Sequence, residues 1–220
     1  MADKREDRIR GSVNIPLNQT GRAHAKELGK KFRKYAPLDK VFTSDMSRTQ
    51  DTAKALGAKE VVVDNNLRDM AYGKYEGMPS KEAHKEIASY IEDTPDVKIP
   101  GKGKRSTSKG ESFNKYKARL LPVLSQIEDG RAGGDRLAVV LNRRSIKTVK
   151  GWVAAGSPEN LDVDTKIVTS PTGADEKNGS IHKLEKKKGK WHLKSIDELN
   201  KPLPEGTFLI RHGETNWNSE

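Results

Sequence analysis

Apolar positions along this chain follow two rhythms. Behind Thr20, the segment GRAHAKELGKKFRKYA sets Ala25, Leu28, Phe32 and Tyr35 at helical spacing among charged residues, which predicts an amphipathic helix capped by Thr20. KVFTSD at 40–45 is apolar and β-branched instead, and predicts a strand running into a helix over MSRTQDTAKAL, with Ser44 or Asp45 as its cap. EVVVD at 60–64 reads as a second strand, and SKEAHKEIASYI at 80–91 as a helix with Ala83, Ile87, Tyr90 and Ile91 turned inward. From Phe113 the positions Tyr116, Leu120, Leu124 and Ile127 continue a helix that Pro122 should kink or restart. RLAVVL at 136–141 suits a fully buried parallel strand, and SIKTVKGWVAAG after it is helical up to Gly156. KIVTS, SIHKLE and KWHLKSI read as late strands, the last two joined as a hairpin through KKKGK. Strands alternating with helices predict an α/β sheet.

Proline and glycine gather over 94–110, which predicts a long, basic, mobile loop. Its GKGKRST has the wrong glycine spacing for a nucleotide-binding P-loop, and no strong strand leads into it. With 220 residues the chain can bury a large core, and one domain over residues 1–220 is the expected organisation. The absence of cysteine excludes disulfides, a thiol nucleophile and thiolate metal sites. No apolar run reaches membrane-spanning length, and the opening MADKREDRIRG lacks the apolar centre of a signal peptide, so a soluble protein of the cytoplasm is expected, with no membrane partner. The net charge of +11 is concentrated in KKFRK (30–34), GKGKRSTSKG (101–110) and EKKKGK (185–190). Such a balance attracts phosphorylated ligands or polyanions. Nucleic acid is an unsupported partner, because no aromatic interleaving or nucleic-acid-binding module accompanies the lysines.

Chemistry concentrates at the end of the chain, in GTFLIRHGETNWNS. An apolar run delivers Arg211 and His212 into Gly213. A neutral imidazole after a buried strand can attack phosphorus, an adjacent guanidinium can fork onto phosphoryl oxygens, and glycine lets the backbone approach them. Taken alone, the Arg-His pair reads rather as a satisfied histidine at a strand end.

The longer string LIRHGETNWN resembles the opening signature of the histidine phosphatase superfamily, the phosphoglycerate mutase-like proteins. RIRGSVNIPLNQTGRAHAKELG resembles the segment that follows that signature, and VFTSDMSRTQDTAKAL, LRDMAYGKYEG and KGES are similar to further family stretches. LAVVLNRRSIKT resembles the passage that normally carries a second histidine. The resemblance implies a three-layer α/β/α sheet, mostly parallel. The order is rotated, because the signature comes last here, and it therefore implies a circularly permuted chain whose nucleophile strand, residues 208–212, is buried in mid-sheet. Residues 197–207 would be the joining linker, and about ten extended residues reach roughly 35 Å, against a radius of gyration near 17 Å.

By the same resemblance His212 is the nucleophile, and Asp69, standing where the family has glutamate, is the proton donor. Arg211 and Arg48 would clamp the phosphoryl group, with Gly213 and Asn142 beside it, while Arg8, Asn218 and Thr215 would meet substrate. Glu214 and Glu111 match supporting positions. Asn142 replaces the second histidine; it keeps a donor but carries no charge, and a plain alternative makes it the cap of the following helix. Arg143 or Arg144 is then a candidate to restore the charge. His24 and His84 read as surface residues, and His182 and His192 as structural. No metal, no cofactor and a small phosphorylated substrate are expected; hydrolysis is preferred to mutase chemistry because no substrate-holding insertion is evident, and oligomeric state is open.

Overall fold

The computed structural model describes residues 8–101, 108–156, 159–170 and 177–215. Six strands form one sheet in the order β2-β1-β3-β6-β4-β5. These are β1 (Lys40–Thr43), β2 (Glu60–Val63), β3 (Arg136–Leu141), β4 (Ile181–Lys187), β5 (Lys190–Ile196) and β6 (Gly206–Arg211). β1 pairs in parallel with β2 and β3, and β3 in parallel with β6, whereas β4 runs antiparallel to both β6 and β5.

Strand alternation builds the two faces. On β3 and β6, Leu137, Val139, Leu141 and Leu209 join one apolar cluster, while Ala138, Val140, Phe208 and Ile210 join another. Helices α3 (Ser80–Glu92), α4 (Phe113–Asp129) and α5 (Arg143–Ala154) pack with the first cluster, and α1 (Gln19–Tyr35) and α2 (Ser47–Leu56) with the second. Helices therefore cover both faces of a mostly parallel sheet. Phe208, Leu209 and Ile210 are all fully buried, each contributing about 1.5–3 kcal/mol of transfer free energy. The last strand of the chain thus lies inside the sheet, in register with β3 from Arg136↔Gly206 to Leu141↔Arg211.

Several local expectations are corrected. Asn18, not Thr20, caps α1, its side chain accepting from the Gly21 amide at 2.7 Å. Neither Ser44 nor Asp45 caps α2; Asn14 reaches across to the Ser47 amide at 2.8 Å, and Asp45 faces Arg68. KIVTS is not a strand but the short helix α6 (Thr165–Thr169), because Asp164 caps it and Val168 is buried in the α5-side cluster, which outweighs β-branched propensity. α4 passes through Pro122 as one element. The described flanks of the 94–110 loop are pinned rather than loose: Ile99 is buried, Pro100 accepts from the Lys74 amide, and Glu111 donates its own amide to Ala71. The core of that loop, 102–107, lies outside the described residues.

Candidate active site

A hollow of ≈ 530 Å³, counted out to open solvent, lies where β3 and β6 end and α2 and α5 begin. Arg8, Arg48, Asp69, Asn142, Arg211 and His212 all line it, so six sequence-predicted residues from five separate stretches meet here. Gly213 and Thr215 are not brought to it. Asn218 lies outside the described residues.

His212 follows β6 directly and is only 6% exposed. Its backbone amide donates to Leu141 O, continuing the β3 pairing for one more residue. Nδ1 lies 2.5 Å from Gly213 O. A carbonyl only accepts, so Nδ1 carries the hydrogen and Nε2 keeps its lone pair. Burial first, then the charges of Arg48 and Arg211, hold the imidazole well below its ordinary pKa, so it remains neutral.

Arg48 sits in the first turn of α2 and is fully buried. Nη1 donates to Val13 O at 2.8 Å, Nη2 to Gly11 O at 2.7 Å and Nε to Asn142 Oδ1 at 3.1 Å. No carboxylate is among these partners, and two of its five N–H groups remain for a ligand. Burial lowers its pKa, offset in part by the charge of Asp69.

Asn142 occupies the N-cap position of α5, but its side chain makes no capping bond. That corrects the capping alternative. The amide is turned by Arg48 instead: Oδ1 accepts from the guanidinium, so Nδ2 is the remaining donor, and it is buried with no partner. A buried donor left unmet costs about 1–3 kcal/mol, which a bound acceptor would recover.

Asp69 stands on the loop between two short 3-10 turns, and its Oδ1 accepts from the Met70 amide at 2.9 Å. Desolvation raises its pKa above the ordinary carboxylate value, with Arg48 pulling the other way. One oxygen is thus fixed by the backbone. Arg8 donates to Gly77 O at 2.8 Å and pairs with Pro79, anchoring the rim.

Gly213 packs against Gly21 at the start of α1. A Cβ there would lie 2.6 Å from Gly21 O, and one on Gly21 would lie 2.0 Å from Glu214 O. The two glycines let the tail press against the start of α1, where Asn18 bonds Glu214 through both backbone and side chain. Thr215 is buried beside them in a bridge with Leu17.

Sequence reasoning passed over Arg10, Tyr72 and the bonding of Arg144 to Tyr72. Arg10 lines the hollow, and its charge acts on His212 and Arg48. The alternation in RIR was the available signal, since Arg8 and Arg10 share one side of an extended segment while Ile9 packs on the core. Arg144 donates through Nε to Tyr72 Oη at 3.0 Å and through Nη1 to Val168 O at 2.7 Å. Arg143 also lines the hollow. With six arginines against Asp69, the site is built for an anion of high charge density.

His24, His84 and His192 are exposed, and His182 is buried within β4; none reaches the hollow. Among the described residues no group of three or more His, Asp or Glu could hold a metal ion, and no helix is long and apolar enough to cross a membrane.

A sequence model described as histidine phosphatase superfamily (branch 1) matches residues 1–198, a span that ends before β6. Phosphoglycerate mutase-like protein 4 of Arabidopsis thaliana is 30% identical over 152 residues, covering 66% of this chain and 63% of that protein. The metal-independent phosphoserine phosphatase of the same plant is 31% identical over 154 residues, covering 64% of this chain and 60% of its own. The chain thus spans somewhat under two thirds of the length of these two relatives. Among solved structures, a mycobacterial glucosyl-3-phosphoglycerate phosphatase in complex with VO3 matches with a TM-score of 0.63 at 20% identity, over 86% of this chain and 90% of that one. At that identity the likeness speaks to the fold.

Proposed function

The chain belongs to the histidine phosphatase superfamily (branch 1), and from that premise we propose that it hydrolyses a small phosphomonoester through a phosphohistidine on His212. The observation that carries this reading is the tautomer of a buried, neutral imidazole: Nδ1–H is tied to Gly213 O, which leaves the Nε2 lone pair in a hollow lined with arginine. Nε2 attacks phosphorus, and the P–O bond to the leaving group breaks as Asp69 donates its proton to the departing oxygen. Arg48, Arg211 and the Asn142 amide hold the phosphoryl oxygens. Water then attacks the phosphohistidine, gives its proton to the Asp69 carboxylate, and the P–N bond breaks to return the lone pair to Nε2. The raised pKa of Asp69 and the lowered pKa of His212 support this division of labour, since burial favours the neutral form of each.

We further propose that residues 1–220 form a single, circularly permuted domain. In support, the segment resembling the family's opening signature comes last in the sequence, and its strand β6 lies between β3 and β4.

A second reading, a member that binds a phosphorylated ligand or regulates a partner with little turnover, is favoured by one observation, the neutral amide of Asn142 beside Arg48. Loss of a unit charge about 4 Å from a phosphoryl oxygen is worth up to about 4 kcal/mol at an effective dielectric near 20, or roughly three powers of ten in rate. The test is phosphate trapped on the protein from a labelled aryl phosphate. Hydrolysis requires an acid-labile adduct that His212→Asn abolishes, together with continuous turnover. Retention of inorganic phosphate with neither adduct nor turnover would establish the binding reading instead. Asn142→His should raise hydrolysis if that one substitution limits the site.

A further inference from the structure

One heavily bonded side chain, that of Arg119, is not among those lining the hollow. Arg119, on α4, commits all five of its N–H groups. Nη1 donates to Asn66 O at 2.7 Å and Arg68 O at 2.8 Å, and Nη2 to Asp69 O at 3.0 Å. Nη2 and Nε then hold the two oxygens of Glu111 at 2.6 and 3.1 Å. Glu111 in turn accepts from the Ala71 amide at 2.9 Å, and its own amide donates to Ala71 O at 3.0 Å. One ion pair therefore grips three carbonyls and an amide over residues 66–71, and Asp69 lies in the middle of the gripped stretch.

We propose that Arg119 and Glu111 are a positioning pair that aims the Asp69 carboxyl at the leaving-group oxygen. This rests on the phosphatase reading above. The stretch from Arg68 to Tyr72 has neither helix nor strand to hold it, so the clamp supplies the stiffness that secondary structure supplies elsewhere. Reach makes the need acute: an aspartate has one methylene fewer than a glutamate, and a displaced backbone cannot be corrected by its side chain. A guanidinium is the group suited to this, because its planar fork meets a carboxylate and several carbonyls at once where an ammonium would meet them as a point.

Leaving-group chemistry separates positioning from mere stabilisation. A 4-nitrophenolate departs without a proton, whereas an alkoxide does not, so only the alkyl ester depends on the general acid. Turnover of 4-nitrophenyl phosphate and of 2-glycerophosphate is measured for the intact protein and for Arg119→Met. The expected result is a loss of about 30-fold or more on the alkyl ester with less than about 3-fold on the aryl ester. Equal losses on both esters, or none, overturn the proposal. Should Arg119→Met fail to fold, Glu111→Gln keeps the shape and removes only the charge that holds the guanidinium, and the same split, reduced to about 5-fold, is expected. Adding Glu111→Gln to Asp69→Asn should cost nothing further on the alkyl ester, since the group it aims is gone; a full additive loss overturns the proposal. If the unmodified protein hydrolyses neither ester, the phosphatase reading fails and this one with it, whereas activity on both esters with no split in the variants removes the positioning role alone.

Discussion

Arg48 is fully buried and Arg119 is 20% exposed, and the fold treats the two arginines in opposite ways. Arg119 meets a carboxylate in a two-point ion pair and spends its remaining donors on carbonyls, so nothing is left over. Arg48 meets two carbonyls and an amide, with no carboxylate, and keeps two donors in reserve. A charge that is matched inside the protein can act only through the residues it holds in place. A charge that the protein leaves unmatched, at the cost of desolvating it, is waiting for a counter-ion from outside.

The sharpest way to break the comparison is a crossover experiment on the two residues. Arg119→Met strands the Glu111 carboxylate and should destabilise the fold by about 3–5 kcal/mol, whereas Arg48→Met strands no ion and should cost well under half of that. Binding of inorganic phosphate should respond in reverse, falling by about 10²–10³-fold in Arg48→Met, the range for loss of one preorganised donor, while any folded Arg119→Met protein still binds. Urea denaturation and calorimetric titration read the two effects, and matched losses in both assays for both variants would end the distinction.

The next largest effect tests how the proposed nucleophile is held. Gly213→Ala drives a methyl to within 2.6 Å of Gly21 O and backbone atoms must shift, a strain of about 1–3 kcal/mol. Because His212 Nδ1 is bonded to the Gly213 carbonyl, the same shift should loosen the imidazole. Phosphoenzyme formation should therefore slow more than the lost stability explains. A variant with unchanged melting temperature would show that the tail does not depend on this contact.

These particulars also mark what sequence could and could not tell. The run RLAVVL declared β3 buried on both faces because nothing polar interrupts it, and FLI did the same for β6. Only the resemblance of LIRHGETNWN to a known signature put β6 in mid-sheet, since periodicity says nothing about strand order. The positions of Arg48, Asp69 and His212 followed from that resemblance, but the direction of the Asn142 amide did not: an asparagine ahead of a helix is a cap by propensity, and here a guanidinium from α2, 94 residues away, outbids the helix for its oxygen. KIVTS failed for a related reason, because β-branched residues read as strand until Asp164 and the α5 surface are known. Arg119 was invisible because its meaning lies in loop carbonyls, which every residue possesses.

Protons sharpen the comparison further. Burial, then the charges of Arg48 and Arg211, hold His212 well below its ordinary pKa of 6.5, so the folded protein takes up a proton less readily than the unfolded chain. Its contribution to stability is present above pH 6.5 and is lost as pH falls towards the folded value. Stability should therefore decline on acidification from neutrality by up to about 1.4 kcal/mol per pH unit for one proton, and His212→Asn should flatten that slope. Added inorganic phosphate, by screening the guanidinium groups, should soften it in the unmodified protein. A slope that the substitution leaves untouched would place the coupling elsewhere.

The smallest effect comes from matched charges at the surface, where the contrast with Arg119 becomes one of burial. Glu185 on β4 lies between Lys183 and Lys187, at 2.6 Å from the latter, and their hydrogen bonds bring its pKa down to about 2. A carboxyl depressed in this way stabilises the fold above its unfolded value of 4.5, and the contribution disappears as pH falls towards 2. Lys187 is 66% exposed, so solvent screens its share of the attraction, and the net worth of such pairs is about 0–1 kcal/mol. Glu185→Gln should accordingly lower stability at pH 6 by less than about 1 kcal/mol and leave it unchanged near pH 2. A loss at pH 6 comparable to that of Arg119→Met would mean that matching alone sets the value of a charge here, and that burying the Arg119–Glu111 pair adds nothing.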